Sequence, residues 1–281
     1  MKPHPDPARE PGRKPLFAVA LGGGGARGLA HVGVLKVLEL NGLRPDLVVG
    51  TSVGSLIGAL YCAGFAMHDM EEIARKVRWK DLGSFSFNLS GVSSNVRMEK
   101  WLADFMPTRT FAGLKIPLAV CATNLVTGGK VVFLQGDLFL AIRASTALPG
   151  IYSPVIVEGL TCADGGMVQY IPAPVARELG ADVVLASDVR GEVALPGTPR
   201  NLYQVLVQAF AIATYHSSTE QLKSADVVVT PDMKNIGWED LSQAPTIMVA
   251  GEYAMKAKLA ELREKLKRPG LWERVKGAMG S

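Results

Sequence analysis

Ser52 is the residue whose type and setting point most directly to chemistry. It stands in the pentapeptide Gly-Thr-Ser-Val-Gly at residues 50–54, directly after the apolar run at residues 47–49. A serine in a sharp strand-to-helix turn has its hydroxyl pushed out of the backbone and into a cleft, where it can act as a nucleophile. The pattern therefore predicts Ser52 as the nucleophile of an acyl-transfer reaction. The alternative is an ordinary small residue at a helix start.

Asp164 is the candidate base for this serine, and it begins an Asp-Gly turn with Gly165. A carboxylate with an ordinary pKa of roughly 4 is a poor base for a serine hydroxyl in water. The hypothesis therefore requires Asp164 to be partly desolvated and hydrogen-bonded to Ser52. The alternative is an aspartate that only starts a tight turn, which is frequent in proteins.

Four consecutive glycines at residues 22–25 lie between a strand-like run at residues 16–21 and a helix-like run at residues 29–40. Backbone N–H groups in such a segment can face a developing negative charge, as in an oxyanion hole. The same glycines also satisfy G-x-G-x-x-G at residues 23–28, which is the dinucleotide-binding pattern. That fold requires an acidic residue at the end of the second strand, where this chain has Gly-Thr-Ser, and it remains the rival interpretation.

Arg27 lies beside this glycine segment, and we expect it to contact an anionic group of the substrate. Its structural alternative is a salt bridge on a helix face. A histidine-based triad is a further alternative, because general-base catalysis commonly uses histidine. Only His216 follows Asp164 in the order serine, acid, histidine that an α/β-hydrolase requires, and it lies in a helix-like run.

Runs rich in valine and leucine alternate with helix-like runs, which predicts an α/β fold with a parallel sheet covered on both faces. The predicted strands are at residues 16–21, 46–50, 116–123, 130–134, 182–188 and 225–229. The predicted helices are at residues 27–41, 53–64, 68–78, 96–105, 137–146, 172–178, 201–222 and 246–266. Glycines 42, 64 and 180 stand where helix C-caps belong. Residues 80–95 suit a loop with an edge strand, or alternatively a flap that admits an acyl chain.

Length and composition indicate one substantial domain at residues 16–281, preceded by a disordered tail rich in proline and charge at residues 1–15. The net charge of +4 comes from 30 basic and 26 acidic residues and is too small to indicate nucleic-acid binding. Three cysteines in apolar surroundings, without metal-ligand spacing, suit a reducing compartment, so we expect a cytoplasmic protein. The glycines argue against a signal-peptide core at residues 17–26.

Two apolar segments raise the question of membrane contact. Residues 47–67 carry no charge and are about long enough to cross a bilayer, but the small polar residues and glycines within them favour a buried strand followed by a buried helix. Near the C-terminus an apolar stripe at helical spacing predicts an amphipathic helix that packs on the body; its alternative is a peripheral contact with the inner membrane surface. The stripe consists of Met255, Leu259, Leu262 and Leu266.

Five segments together resemble one known family. Residues 21–35 are similar to the glycine-rich oxyanion segment of the patatin-like phospholipases, residues 50–54 to their nucleophile turn and residues 164–166 to their catalytic aspartate motif. Residues 122–128 and 143–150 are similar to further segments of that family. The resemblance is closest to the small bacterial members.

This resemblance, which covers roughly residues 16–232, implies a three-layer α/β/α fold with a mainly parallel central sheet. It implies a lipid acyl hydrolase of the phospholipase, lysophospholipase or esterase type that needs no metal or cofactor. Its catalytic dyad would be Ser52 and Asp164, with the oxyanion held by the N–H groups of Gly24, Gly25 and Val53. The implied partner is a lipid or acyl-ester substrate, and the oligomeric state stays open. A module that binds lipid or membrane without hydrolysis is the alternative function.

Overall fold

The structure is a computed structural model that describes residues 14–88, 91–190, 198–199, 201–234 and 236–267. For residues 84–88, 91–92 and 202–203 it describes the backbone alone. The predicted tail at residues 1–15 lies outside these ranges except for its last two residues.

Strands and helices alternate along the described chain. The strands are β1 Phe17–Leu21, β2 Leu47–Thr51, β3 Ser84–Asn88, β4 Gly91–Ser94, β5 Leu118–Asn124, β6 Lys130–Phe133, β7 Val155–Val157, β8 Leu160–Asp164, β9 Val183–Ser187 and β10 Val227–Val229. The α-helices are α1 Ala30–Leu40, α2 Val53–Ala63, α3 Met67–Lys76, α4 Trp79–Leu82, α5 Val96–Ala103, α6 Leu138–Ser145, α7 Gly166–Gln169, α8 Ala173–Glu178, α9 Leu202–Leu222 and α10 Ala244–Lys267.

A central sheet of eight strands divides the described part of the molecule into layers. Its order is β10-β9-β1-β2-β5-β8-β7, and β6 also pairs with β5. The five strands from β10 to β5 are parallel. Alternate residues of β1 enter different cores: Val19 and Leu21 pack with α1 and α2, whereas Ala18 and Ala20 pack with α8. This side-chain alternation places helices on both faces, and the predicted three-layer α/β/α fold is confirmed.

Strand β5 brings the ends of two other strands together. Strand β6 pairs with β5 throughout residues 120–123 and so occupies one of its edges. Strand β2 pairs with the first half of this stretch and places Thr51 opposite Cys121. Strand β8 runs antiparallel along the second half and places Asp164 opposite Ala122. Because a strand has only two edges, β2 and β8 share the other one and end facing each other.

Several elements were missing from the sequence-based prediction. The hairpin of β7 and β8 turns through Glu158 and Gly159, whose φ angles of 51° and 80° are those of a tight two-residue turn, but the short strands lack a long valine run. Residues 80–95 form α4 and the antiparallel pair β3–β4, with residues 89–90 outside the description. The helix predicted from residue 27 begins at Ala30 instead, because the glycine-rich segment before it forms a 3-10 turn, Gly25–Leu29.

Both apolar segments that raised the question of membrane contact, residues 47–67 and the C-terminal stripe, pack inside the protein. Residues 47–67 contain β2 and α2, and no helix in the described ranges combines the length and apolar character that a bilayer crossing requires. In α10, Met255 and Leu262 are completely buried, and Leu259 and Leu266 pack against the same core. The C-terminal stripe therefore contributes to the core of the protein.

Candidate active site

The turn between β2 and α2 presents Ser52 in a backbone conformation that few residues adopt. Ser52 has φ 53° and ψ −127° and is one of the non-glycine residues with positive φ. A Cβ atom placed on Gly54 would lie 2.2 Å from the carbonyl oxygen of Leu21, and one on Gly50 would lie 2.5 Å from Cα of Ser55. The turn therefore has no space for a side chain at position 50 or 54, and the strained backbone at Ser52 is held by its surroundings.

The hydroxyl of Ser52 donates a hydrogen bond to a buried carboxylate. Ser52 Oγ lies 2.7 Å from Asp164 Oδ2, and Asp164 is only 4% exposed. The other oxygen, Oδ1, accepts the N–H of Gly166 at 2.7 Å. Burial raises the pKa of Asp164 to about 6, although the hydrogen bonds from Ser52 and Gly166 oppose this rise. The carboxylate is therefore a stronger base than an aspartate in water.

Ser145 supports the turn, although the sequence analysis gave it no role. Its Oγ accepts the backbone N–H of Ser52 at 2.8 Å and donates to the carbonyl oxygen of Cys121 at 2.6 Å. Ser145 ends α6 and is fully buried. A buried serine that bridges two distant backbone groups gives no distinct signal in a sequence. Serine is common near helix ends, where its hydroxyl usually bonds to backbone close by in the chain.

Residues 22–26, called the glycine loop from here on, carry backbone donors of two kinds. Gly22, Gly23 and Ala26 donate their N–H groups to the carbonyl oxygens of Ser187, Tyr170 and Trp238. In contrast, the N–H groups of Gly24, Gly25 and Val53 have no acceptor among the described residues. All three of these residues line the same cavity as Ser52. They are therefore available to hydrogen-bond an oxygen atom bound in that cavity.

His31 holds the start of the glycine loop and not the serine. It is completely buried, and its Nε2 lies 2.9 Å from the carbonyl oxygen of Gly22, which can only accept. Nε2 therefore carries the proton, and Nδ1 accepts the hydroxyl of Ser187 at 2.9 Å. Burial lowers the pKa of His31 to about 4, so the ring is neutral at physiological pH. The sequence analysis gave His31 no role.

A histidine triad has no counterpart in the described residues. His216 is exposed on α9, with its ring against Tyr215, and it does not line the cavity of Ser52. His68 is exposed and lies 3.7 Å from Glu72. Ser52 donates to Asp164 instead, so the α/β-hydrolase alternative is wrong in its assignment of His216.

Arg27 follows the glycine loop and lines the cavity. Its Nε donates to the carbonyl oxygen of Ile236 at 2.9 Å, and Nη1 donates to the carbonyl oxygen of Arg190. Burial lowers the pKa of Arg27. Among the described residues it pairs with no carboxylate, so the helix-face salt bridge is not formed. The expected contact with a substrate anion stays a prediction.

The cavity beside Ser52 has a volume of about 910 Å³, and helix α9 lines part of it together with two other kinds of segment. Helices α2, α3 and α5 contribute mainly apolar side chains, among them Leu56, Leu60, Met70, Ala74, Met98 and Trp101. The segments after β1, β9 and β10 contribute the charged residues Arg27, Arg190, Lys234 and Glu239. No group of three or more His, Cys, Asp or Glu side chains in the described ranges is arranged to hold a metal ion. The cavity thus combines an apolar wall with a polar rim.

The family model for patatin-like phospholipases matches residues 19–177, which is more than half of the chain and includes Ser52, Asp164 and the glycine loop. The chain belongs to the patatin-like phospholipase family. This membership confirms the resemblance inferred from the sequence. It also removes the support for a dinucleotide-binding fold, because the glycine pattern is accounted for by the patatin-like domain.

Curated members of the family are about one third identical to this chain over the aligned residues. An uncharacterized NTE family protein of Mycobacterium tuberculosis is 35% identical over 187 residues, which is 65% of this chain and 51% of that protein. Human patatin-like phospholipase domain-containing protein 6 is 34% identical over 183 residues, or 62% of this chain and 13% of that protein. The chain thus spans about half the length of the mycobacterial relative and a much smaller share, 13%, of the human one.

A solved structure shares the fold at low sequence identity. VipD from Legionella pneumophila superposes with a TM-score of 0.58 at 14% identity, covering 90% of this chain and 67% of that chain. The similarity therefore extends beyond the residues matched by the family model and includes the C-terminal part of the fold.

Proposed function

We propose that the protein hydrolyses acyl esters of lipids, with Ser52 as nucleophile and Asp164 as general base and acid. The observation that carries this proposal is the 2.7 Å hydrogen bond from the Ser52 hydroxyl to the buried Asp164 carboxylate, at the wall of a largely apolar cavity. Membership of the patatin-like phospholipase family supports the substrate class.

In the first half of the reaction, Asp164 takes the proton from Ser52 as Oγ attacks the ester carbonyl carbon. The carbonyl oxygen becomes an oxyanion, which the N–H groups of Gly24, Gly25 and Val53 stabilise. The tetrahedral intermediate collapses, the bond between the carbonyl carbon and the alcohol oxygen breaks, and Asp164 gives its proton to that oxygen. The products are an acyl-serine at Ser52 and the free alcohol.

In the second half, a water molecule attacks the acyl-serine, and Asp164 accepts one of its protons. Collapse of the second tetrahedral intermediate breaks the bond to Oγ, and the proton returns from Asp164 to Ser52. The fatty acid leaves, and the resting hydrogen bond forms again. A pKa of about 6 lets Asp164 both accept and return a proton near neutral pH.

The cavity suggests how the substrate lies. An acyl chain would occupy the apolar wall built by α2, α3 and α5, and the charged rim would face the polar part of the molecule. Among the described residues Arg27 donates to backbone carbonyls alone, so its charge is available to an anionic headgroup. Phospholipids, lysophospholipids and simple esters all fit this description.

Release of fatty acid from medium-chain p-nitrophenyl esters and from lysophospholipid tests the proposal. Ser52→Ala is expected to lower the rate by at least about a thousandfold, because the covalent step is lost. Ser217→Ala, at an exposed serine bonded within α9, is the matched control and keeps the wild-type rate. Unchanged hydrolysis in Ser52→Ala would contradict the proposal. Lipid binding without acid release in the wild type would favour the non-hydrolytic alternative.

A further inference from the structure

The glycine loop is fixed on one side by a segment that lies outside the residues matched by the family model. This segment, residues 236–239, is called the strap. The carbonyl oxygen of Trp238 accepts the N–H of Ala26 at 2.6 Å. The carbonyl oxygen of Ile236 accepts Arg27 Nε at 2.9 Å. Two consecutive residues of the chain are therefore bound to the strap.

The strap also packs directly on Gly25, one of the two loop glycines whose N–H group has no acceptor among the described residues. A Cβ atom on Gly25 would lie 2.5 Å from the carbonyl oxygen of Trp238 and 2.7 Å from Cε3 of its indole ring. Gly25 has φ 58°, a conformation that only glycine adopts without cost. Because glycine has the largest backbone freedom to lose, this conformation has to be imposed by contacts from outside the loop.

Trp79 holds the strap from its other side. Its indole Nε1 donates to the carbonyl oxygen of Glu239 at 2.6 Å. The rings of Trp79 and Trp238 meet edge to face, with centroids 6.0 Å apart and an interplanar angle of 60°. Trp79 is 37% exposed and, like Trp238, lines the cavity. The strap thus contacts both Trp79 and the segment that runs from Gly25 to Arg27.

We propose that Trp238 is a positioning residue, which together with Trp79 holds the glycine loop in the conformation that aims the N–H groups of Gly24 and Gly25 at the substrate oxyanion. The inference rests on the proposed function. Oxyanion stabilisation depends on donors that are already in place when the charge develops, so a loop that moves by a fraction of an ångström loses rate without losing substrate. The indole ring fixes the Trp238 carbonyl, and that carbonyl fixes Ala26.

Steady-state kinetics and the rate of inactivation by a fluorophosphonate test this role. In Trp238→Ala, kcat and the inactivation rate fall together by at least about tenfold while KM changes little, since loss of a whole oxyanion donor costs about a hundred- to a thousandfold. Trp238→Phe keeps a ring against Gly25 and restores most of the rate. Trp79→Phe keeps the ring pair, loses the hydrogen bond to Glu239, and gives a smaller decrease in kcat.

Tyr253→Ala is the matched control, because Tyr253 is an exposed aromatic residue of α10 that does not line the cavity. It removes an aromatic ring of similar size without touching the strap or the cavity wall, so kcat and the inactivation rate stay at the wild-type level. Unchanged kcat and inactivation rate in Trp238→Ala would overturn the proposal. An equal loss of kcat in Tyr253→Ala would overturn it as well.

Two further measurements keep the test decisive. If thermal unfolding shows that Trp238→Ala does not fold, Trp79→Phe carries the test, because it removes a single N–H group at a partly exposed residue; a wild-type kcat in that variant would then reject the strap's role. Failure of the proposed function has a different signature. In that case wild-type protein itself forms no fluorophosphonate adduct on Ser52, whereas failure of the strap proposal leaves the wild-type adduct intact.

Discussion

Thr51 and Asp164 end two strands that meet on one edge of β5, where they lie opposite the neighbouring residues Cys121 and Ala122. Thr51 ends a parallel strand and Asp164 an antiparallel one, so the residues that follow Thr51 and the carboxylate of Asp164 converge. The hydrogen bond between Ser52 and Asp164 is therefore a consequence of sheet register, and any change that shifts β5 changes the site.

Thr123 tests the link between this register and the carboxylate. Its Oγ1 donates to the backbone carbonyl of Asp164 at 2.8 Å, and the side chain is buried. Thr123→Val keeps the shape but leaves that carbonyl without its donor, so we expect a loss of about 1–3 kcal/mol in unfolding free energy and a lower kcat. Urea unfolding and ester hydrolysis measure both. A variant as stable and as active as wild type would show that the bond is dispensable.

Ser145→Ala tests the support of the nucleophile turn. The change removes the acceptor for the Ser52 N–H and the donor to the Cys121 carbonyl, both in a buried site. We expect the unfolding free energy to fall by about 1–3 kcal/mol and kcat to fall more than KM changes. Ser217→Ala serves again as the exposed control. An effect on KM alone would indicate that Ser145 acts on substrate binding and not on the turn.

The pH dependence of activity follows from the raised pKa of Asp164. The base must be ionised to accept the proton of Ser52, so kcat/KM is expected to fall on the acid side with an apparent pKa of about 6. An acid limb near the ordinary aspartate value of roughly 4 would contradict a desolvated base.

The raised pKa of Asp164 should also make the unfolding free energy depend on pH. Between its unfolded pKa of 3.8 and its folded value of about 6, the native state holds the proton and the unfolded state has lost it. Stability from this group is therefore present below pH 3.8 and is lost as pH rises through 6. Relative to Asp164→Asn, wild type should lose about 3 kcal/mol between pH 3 and pH 8. His31, with its lowered pKa, acts in the opposite sense in both proteins and cancels in the comparison.

Ala74 tests whether the apolar wall holds the acyl chain. It is buried on α3 and lines the cavity, so Ala74→Leu fills part of that space. We expect the preference among p-nitrophenyl esters to move to shorter acyl chains, by about 10- to 200-fold for the longest relative to the shortest. Ala213→Leu, at an exposed alanine of α9 outside the cavity, is the matched control. An unchanged chain-length profile in Ala74→Leu would place the acyl chain elsewhere.

The sequence predicted the parallel part of the sheet and most helices because their patterns are local. Long valine runs mark buried strands, and the glycines at 42, 64 and 180 do adopt positive φ, as expected for helix C-caps. The antiparallel strand β8, which carries Asp164, was missed because it contains no valine run and is set by pairing with β5. Ser145, His31 and Trp238 were missed for a related reason. Ser145 and Trp238 act through contacts with backbone far away in the chain, and His31 joins the Gly22 carbonyl to the distant hydroxyl of Ser187. Such contacts leave no periodic pattern.

The reaction of the protein with a fluorophosphonate probe tests the central claim most directly. Intact mass followed by peptide mapping should show one adduct on the peptide that contains Ser52, formed far more slowly in Asp164→Asn and absent in Ser52→Ala. An adduct on another residue, or one that persists in Ser52→Ala, would contradict the assignment of Ser52 and Asp164 as the catalytic pair.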